Sequence, residues 1–241
     1  MSAGRTARER VRAELIREIT ETARRQLATE GAAGLSLRAI AREMGMVSSA
    51  IYRYVPSRDD LLTALIIDGY NAVGEAVERA DARSAKTGAD DFAGRWLAVC
   101  RAVRDWALAH PHEYALLYGS PVPGYKAPDD TVAAAVRDTV VFARILTEAH
   151  AAGAIDPDGP RPSEPAPRPS IAEGLDRVRA FVRMDVPDDV IARALTAWAG
   201  LYGTVSFEVF GQYNNLIDEP ARAAYFDHTM TLLGRLIGLK P

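Results

Sequence analysis

Apolar residues recur at helical spacing along most of this chain of 241 residues. Near the amino terminus they stand four residues apart with charged residues between them, at Val11, Leu15, Ile19, Ala23 and Leu27. This spacing is typical of an amphipathic helix. Related patterns predict helices from about residue 8 to Glu30, from Ser57 to about Ala80, from Phe92 to Ala109, from Thr131 to Ala152, from Pro187 onward and from Pro220 to Leu239. No segment of confident strand-like alternation is present, so the sequence predicts an all-α fold.

The segment from Leu35 to Leu62 predicts two short helices joined by a tight turn and followed by a third helix. Ala41 stands four residues before Gly45, and Ile51 stands six residues after it. A small residue lets two helices cross closely, and a glycine takes the turn without a Cβ penalty. The branched Ile51 then pins the second helix onto the first. This arrangement predicts a helix-turn-helix, whose second helix can enter the major groove of DNA.

Serines mark two helix starts in this region. Ser36 precedes the first short helix and can cap it. Ser57, with Asp60 three residues later, resembles a capping box at the start of the third helix.

The carboxy-terminal third predicts a helix–helix interface. Six residues are spaced alternately four and three apart, as in a coiled-coil seam: Ile191, Leu195, Trp198, Tyr202, Val205 and Val209. The last helix places Tyr225, Thr229, Leu232 and Leu236 on one face. We expect both faces to form a symmetric four-helix dimer interface. The alternative is that the seam packs inside one subunit.

A proline-rich connector interrupts the helical pattern. Residues 154–170 contain six prolines and predict a mobile, non-helical connector. The predicted domains are residues 1–58, a three-helix head with the helix-turn-helix, and residues 59–241, a larger helical ligand-binding and dimerisation domain that includes the connector.

Charge and composition agree with this division. The formal net charge is −3, but residues 1–60 carry eleven arginines and eight acidic residues. A basic head on an acidic body suits a DNA-binding protein. Cys100 is the only cysteine, which excludes an intrachain disulfide and favours a reducing cytoplasm. The sequence shows no signal peptide and no apolar run long enough to span a membrane.

The first sixty residues resemble the DNA-binding domain of TetR-type bacterial transcriptional regulators, with GMVSSAIYRYVPSRDDLL at the position of the recognition helix. Downstream, WALAHPHEYALLYGSPVPGY and WAGLYGTVSFEVFG resemble the WHG-type ligand-binding domain of a subgroup. Two residues depart from the pattern. Tyr202 stands where the subgroup has histidine, and Val47 stands where a serine or threonine usually caps the recognition helix. Ser48 is a candidate cap one residue later; the alternative is a weak start of the recognition helix.

The resemblance implies a homodimer that binds a palindromic operator. We expect Val47, Ser48, Ser49 and Ala50 at the exposed front of the recognition helix, with Arg53 contacting a guanine or a phosphate. The family has an aromatic pair that donates hydroxyls to phosphates, here Tyr52 and Tyr54; the alternative for each is a core aromatic residue whose hydroxyl faces water. Further candidates for contacts with the DNA backbone are Arg58, Ser36 and Arg38. Arg5, Arg8, Arg10 and Arg12 are expected on a frayed amino-terminal arm, which would add nonspecific affinity for DNA; the alternative is a solvated charged end without that role.

The resemblance also implies a small-molecule effector. The apolar cavity could be lined by aromatic residues, each of which could equally be plain core: Trp96, Trp106, Tyr114, Tyr118, Tyr125, Phe142, Phe181, Trp198 and Tyr202. Effector binding would change the spacing of the two heads on DNA. Repression is the usual outcome in the family, and activation is the alternative.

Two other classes of function compete with this interpretation. His110, His112 and Glu113 form the one local cluster that resembles metal ligands, and would suit a metal-dependent enzyme. A helical small-molecule-binding protein without DNA binding is the second alternative. No phosphate loop, serine elbow or cysteine–histidine pair is evident, so we expect no enzymatic activity and no cofactor.

Overall fold

The structure, a computed structural model, describes residues 3–156, 159 and 169–240. This part of the chain is built of α-helices, and it contains no strand beyond an isolated antiparallel bridge between Ile155 and Leu239. The first six helices are α1 (Ala3–Gly34), α2 (Leu37–Glu43), α3 (Ser48–Ile51), α4 (Arg58–Thr87), α5 (Phe92–Ala109) and α6 (Pro111–Tyr118). After a short 3₁₀ turn at Asp129–Thr131 come α7 (Val132–Ala135), α8 (Arg137–Ala151), α9 (Pro169–Val182), α10 (Asp188–Val209) and α11 (Glu219–Ile237).

The predicted all-α class is confirmed, with differences at several helix boundaries. The predicted helix from Thr131 to Ala152 is broken at Val136, between α7 and α8. Helix α9 was not predicted, because the prolines before it suggested a non-helical connector through residue 170. Pro169 nevertheless begins α9, since the first helical position needs no N–H donor. Residues 157–158 and 160–168 of the predicted mobile connector lie outside the described residues.

The chain divides into two compact units. The first comprises Met1–Asn71 and His110–Ala135, and the second comprises Ala72–Ala109 and Val136–Pro241. The division falls inside α4, later than the functional boundary at residue 58 predicted from the sequence, which stays a prediction. The segment from residue 110 to residue 135 belongs with the amino-terminal unit, although it follows α5 in the chain.

The helix-turn-helix in the first unit has the predicted close crossing. Ala41 and Ile51 are both fully buried in the core of this unit. Gly45 adopts a φ of 66°, a left-handed conformation that glycine takes without a steric penalty. The N–H of Met46 donates to the carbonyl of Ala41 at 2.8 Å, and the N–H of Gly45 donates to that of Arg42 at 3.2 Å. These two bonds form a Schellman motif, which ends α2 and turns the chain toward α3.

The helix starts in this region differ in their caps. The Ser36 hydroxyl accepts the N–H of Ala39 at the start of α2, and the Ser57 hydroxyl accepts that of Asp60 at the start of α4. Both predicted caps are therefore confirmed. The residue that precedes α3 is Val47, which offers no side-chain hydrogen bond, and Ser48 is already inside the helix. The prediction that Ser48 caps the helix is wrong, and the four-residue α3 begins without a side-chain cap.

A buried ionic network joins three helices of the second unit. The Arg95 guanidinium on α5 donates to Asp81 on α4 at 2.8 and 3.2 Å, and to Glu148 on α8 at 2.7 Å. Arg144 on α8 donates to the same Asp81 carboxylate at 2.6 Å. Burial alone would raise the pKa of Asp81, but the hydrogen bonds and charges of the two arginines outweigh it and lower that pKa. Asp81 is therefore held in its ionised form.

A second buried aspartate of this unit is paired with no cation among the described residues. Asp138, in the first turn of α8, is 3% exposed and accepts hydrogen bonds from the hydroxyl of Tyr202 and from the backbone and hydroxyl of Thr139. Burial raises the pKa of Asp138, and the hydrogen bonds offset only part of that effect. The pKa values of the two buried aspartates are thus shifted in opposite directions.

The aspartate pair predicts opposite mutational effects. Asp81→Asn should lower the free energy of unfolding at pH 7 by about 3 kcal/mol, because the buried Arg95 loses its buried carboxylate partner and keeps only the partly exposed Glu148. Asp138→Asn removes a carboxylate that is costly to ionise, so it should be neutral or stabilising by up to about 1 kcal/mol at pH 7. Urea denaturation of both variants and wild type measures the differences.

The pH dependence separates the two cases. A lowered pKa contributes stability that is lost as pH falls, so the Asp81→Asn deficit should shrink below about pH 4. A raised pKa contributes stability that is lost as pH rises, so any gain from Asp138→Asn should already have disappeared when pH has fallen to about 4, above the range in which the Asp81→Asn deficit shrinks. Equal losses from both substitutions at pH 7 would contradict the assignment.

The missing cap of α3 gives a second prediction. Val47 has an extended conformation suited to capping and is 70% exposed, so a hydroxyl side chain fits there. Val47→Ser should stabilise the first unit by about 1 kcal/mol by accepting an orphan N–H of α3. Val47→Ala is the matched control, since it removes the same apolar group without supplying an acceptor. Equal denaturation midpoints for the two variants would refute the capping effect.

Candidate nucleic-acid interface and effector-binding residues

The face of α3 that was predicted to contact DNA is open to solvent. Val47, Ser48, Ser49 and Arg53 are exposed, and Tyr52 is partly so. On the opposite side, Ile51 is buried. The guanidinium of Arg53 and the hydroxyl of Tyr52 form no hydrogen bond or ion pair within the described residues. Their polar groups are thus available to a partner, while Ala50 is half-buried between the two sides.

Other predicted DNA contacts already have roles inside the first unit. Arg58 donates to the carbonyl oxygens of Ala32 and Ala33 at 2.7 and 3.3 Å, close to the end of α1. Cations are favourable near helix carboxy termini, so this contact fixes α1 against α4. The prediction that Arg58 pairs with phosphate therefore has a competing intramolecular explanation.

Ser36, Arg38 and Tyr54 differ in their exposure. Ser36 is half-buried and its hydroxyl caps α2, while Arg38 in the first turn of α2 is exposed. The ring of Tyr54 is half-buried against the core of the first unit. Of the predicted aromatic pair, Tyr52 is therefore the more accessible member.

The expectation of a frayed amino-terminal arm is wrong for Arg12. Helix α1 begins at Ala3 and contains this residue. Its guanidinium donates to the carbonyl of Arg53 at 3.0 Å and lies 5.7 Å from the ring centroid of Tyr54. The side chains of Arg5 and Arg8 lie outside the described part of the molecule.

The structure distributes the nine candidate effector-binding aromatics between the two units. Tyr114, Tyr118 and Tyr125 belong to the first unit, and the other six belong to the second. In the first unit the rings of Tyr114 and Tyr118 are 4.9 Å apart, and the hydroxyls of Tyr125 and Thr63 are 2.9 Å apart. Tyr114 is fully buried, as expected for a core residue.

In the second unit, Trp96, Trp106 and Phe142 are buried, whereas Phe181 is exposed. Trp96 packs against Phe142 with a centroid distance of 5.4 Å. Trp96 also lines an apolar cleft of about 200 Å³ between α5 and α11, together with Ala93, Gly94, Leu97, Thr231, Gly234, Arg235 and Leu239. The indole N–H of Trp96 donates to the carbonyl of Met230 at 2.8 Å, which fixes the ring beside the cleft.

Tyr202 has a role that sequence reasoning missed. Its hydroxyl donates to the buried carboxylate of Asp138, and its ring packs against Trp198 with a centroid distance of 5.2 Å. It thereby links α10 to the first turn of α8. No motif identified Asp138, because an acidic residue in the first turn of a helix is common and its burial depends on tertiary packing.

The predicted dimer seam on α10 is only partly available to a partner. Ile191 and Val205 are 0% exposed and Tyr202 is 8% exposed in the single chain, so they pack inside the subunit. The interface prediction is wrong for these three residues. Leu195 and Trp198 remain exposed, and Val209 is half-buried.

A different face of α10 carries exposed apolar residues. Gly203 and Phe207 lie on the side opposite the buried face, and Phe210 follows the helix. A Cβ added at Gly203 would meet nothing within 4 Å, whereas one added at Gly200 would lie 2.9 Å from Leu233 of the same chain. Gly200 therefore serves packing between α10 and α11, and Gly203 leaves space outside the subunit.

The predicted face on α11 is more accessible. Tyr225 and Leu232 are exposed, while Thr229 and Leu236 are half-buried. The Tyr225 ring also contacts Tyr213, which in turn contacts Phe207, at centroid distances of 5.6 and 5.8 Å. These rings connect the exposed sides of α10 and α11.

The histidine-containing segment does not form a metal site in the described structure. Glu113 forms an ion pair with Arg24 at 3.3 Å, and His112 is exposed. Within the residues described, no three histidine, cysteine, aspartate or glutamate residues are grouped so that they could hold a metal ion.

No helix in the described ranges is both long and apolar enough to cross a bilayer.

Two family models match the chain. One, described as "Bacterial regulatory proteins, tetR family", matches residues 19–65, which include the helix-turn-helix. The other, described as "Tetracyclin repressor-like, C-terminal domain", matches residues 96–233.

Two mycobacterial relatives are HTH-type transcriptional regulators by name. The HTH-type transcriptional regulators Rv1816 of Mycobacterium tuberculosis and Mb1846 of Mycobacterium bovis are each 44% identical to this chain over 230 residues, which is 95% of this chain and 93% of each relative. The crystal structure of a regulatory protein, SCO4313, matches with a TM-score of 0.74 and 35% identity, covering 93% of this chain and 97% of that one.

A more distant structure supports the fold alone. A bacterial regulatory protein in the tetR family from Rhodococcus RHA1 matches with a TM-score of 0.58 and 18% identity, covering 94% of this chain and 98% of that one. The mycobacterial relatives are named as transcriptional regulators. With its helix-turn-helix, its helical carboxy-terminal region and these matches, the chain belongs to the TetR family of bacterial helix-turn-helix transcriptional regulators.

Proposed function

We propose that this regulator is a repressor that binds a palindromic operator as a homodimer and is released by a small apolar or aromatic effector. The observation that carries the DNA-binding part is the exposed surface of α3 and of the two residues after it. The side chains of Ser48, Ser49, Tyr52 and Arg53 form no hydrogen bond or ion pair within the described residues. Small hydroxyls and one guanidinium suit base edges and phosphates in a major groove. Bacterial DNA lies in the cytoplasm, which is therefore the proposed location.

The dimer follows from the apolar surface of α10 and α11. Large apolar groups exposed together on a single chain usually mark an interaction site. A symmetric dimer presents the same patch twice, so Phe207, Phe210, Tyr225 and Leu232 would meet their copies across a two-fold axis. Two heads related by this axis would contact half-sites about 34 Å apart, one turn of DNA.

The effector would act through the second unit. The cleft beside Trp96 has apolar walls and is smaller than the roughly 300–1,000 Å³ of drug-sized sites, which favours a small ligand. An effector releases DNA only if it binds more tightly to the conformation that does not fit the operator. A titration of the protein–operator complex with small aromatic and apolar compounds, with release followed by fluorescence anisotropy, tests this step.

A helical binding protein without DNA-binding activity is the competing function, and the missing cap at Val47 is the observation that favours it. A gel shift with DNA from upstream of the regulator's own gene separates the two. Specific binding that weakens steeply with salt supports the regulator. Binding no tighter than to unrelated DNA, at low salt and with a folded dimer, would support the competitor.

Arg53 gives the sharpest test of the DNA-binding face. Arg53→Ala should weaken specific binding by about 1–3 kcal/mol, because it removes a cation that forms no hydrogen bond or ion pair within the described protein. Fluorescence anisotropy on the operator measures this loss. Arg83→Ala is the matched control, since it removes an exposed charge from α4 of the second unit. Unchanged affinity of a correctly folded Arg53→Ala dimer would exclude the assigned role.

Leu232 gives the corresponding test of the dimer. Leu232→Glu would place two carboxylates in an apolar interface, so the dimer should dissociate to monomers at micromolar concentration. Sedimentation velocity measures the change, and circular dichroism checks the fold. Leu108→Glu, at another exposed apolar position of the second unit, should leave the dimer intact. A Leu232→Glu protein that stays dimeric would rule out this face as the interface.

A further inference from the structure

Arg12 of α1 contacts the segment at the end of the recognition helix α3. This contact is not part of the DNA-binding role proposed above for α3. One guanidinium nitrogen of Arg12 donates to the carbonyl of Arg53 at 3.0 Å. The same guanidinium lies 5.7 Å from the ring centroid of Tyr54, within the range of a cation–π interaction. Arg53 and Tyr54, two adjacent residues shortly after the end of α3, are therefore both held by the Arg12 side chain of α1.

Helix α3 depends on such contacts because it is short. It contains four residues, has no side-chain cap at Val47, and makes only one turn. A helix of this length has no independent stability in water. Its backbone continues through bonds from the N–H groups of Tyr54 and Val55 to the carbonyl of Ile51, at 2.9 and 3.0 Å.

Burial fixes one side of this segment. Ile51 and Val55 are buried in the core of the first unit, which prevents α3 from moving outward. Apolar packing is not directional, however, and does not by itself set the rotation of a short helix. The hydrogen bond from Arg12 is directional, and it acts on the residue whose side chain is the strongest candidate for a base contact.

We infer that Arg12 is a positioning residue for DNA recognition, which orients Arg53 by binding its carbonyl and the neighbouring Tyr54 ring. This inference rests on the proposed DNA-binding function. The Arg12 guanidinium thus binds groups of the protein itself. Its positive charge also interacts favourably with the negative, carboxy-terminal end of the α3 turn. A direct contact between Arg12 and a DNA phosphate is the competing explanation.

The two explanations differ in how binding depends on salt. Arg12→Ala should weaken specific operator binding about tenfold, because a hydrogen bond from a charged group is lost and α3 is less well oriented. Affinity for unrelated DNA and the slope of log affinity against log salt should stay at wild-type values. A phosphate contact would instead lower both affinities and reduce the slope by about 0.9.

Variants on the same helix provide the controls. Arg17→Ala removes an equal charge from α1, where Arg17 is exposed and pairs with Glu14 of its own helix, and should match wild type. Arg12→Lys should recover part of the specificity, since an ammonium can donate to the carbonyl but lacks the planar face of the guanidinium. A general loss of stability would not change the ratio of specific to nonspecific affinity at a temperature where all variants are folded.

Hydrogen exchange on the free protein tests the contact without DNA. The amides of Tyr54 and Val55 should exchange faster in Arg12→Ala than in wild type and Arg17→Ala. Faster exchange with a reduced specificity ratio supports the inference, and unchanged exchange overturns it. If wild type binds no DNA specifically, the proposed function fails, while the exchange measurement still decides whether Arg12 holds this segment.

Discussion

The recognition element of this protein is held together by one close helix crossing, because α3 is too short to be stable by itself. Ala41 and Ile51 make that crossing, and both are fully buried. Gly45 supplies the left-handed turn that brings α3 back over α2. When these three positions are satisfied, the opposite side of α3 faces solvent. The orientation of the exposed side chains of α3 therefore depends on these buried contacts.

The second unit is organised around α5 in a different way. Charged residues of α5 are paired with carboxylates of α4, α8, α10 and α11. Arg104 donates to Glu208 on α10 at 2.6 and 2.7 Å, and its guanidinium lies 5.5 Å from the ring centroid of Phe226 on α11. Arg101 donates two hydrogen bonds of 2.8 Å to Asp227, which also lies on α11. Bidentate pairs of this kind are directional, so they specify which helices become neighbours of α5 as well as stabilising them.

Asp138 and Tyr202 stand apart from this pattern. Their hydrogen bond joins α8 to α10 without a cation, in a position where a carboxylate is costly to ionise. In the resembled subgroup the position of Tyr202 belongs to a histidine. The tyrosine hydroxyl donates a hydrogen bond to the Asp138 carboxylate without carrying a positive charge, so it offsets only part of the cost of burying that acid.

The sequence by itself determined the all-α class, the helix-turn-helix and two helix caps. Those features depend on local spacing and on residues such as Gly45, Ser36 and Ser57, whose conformational effects act within a few positions. It did not determine which side of α10 faces outward. The coiled-coil spacing from Ile191 to Val209 is the same whether the partner is in the same subunit or in another one.

Tertiary structure alone decided that Ile191 and Val205 are internal, that Arg58 binds the end of α1, and that Arg12 reaches Arg53. Each of these outcomes joins residues distant in the chain. Local propensity carries no information about such contacts, because burial and charge pairing depend on where the other helices pack.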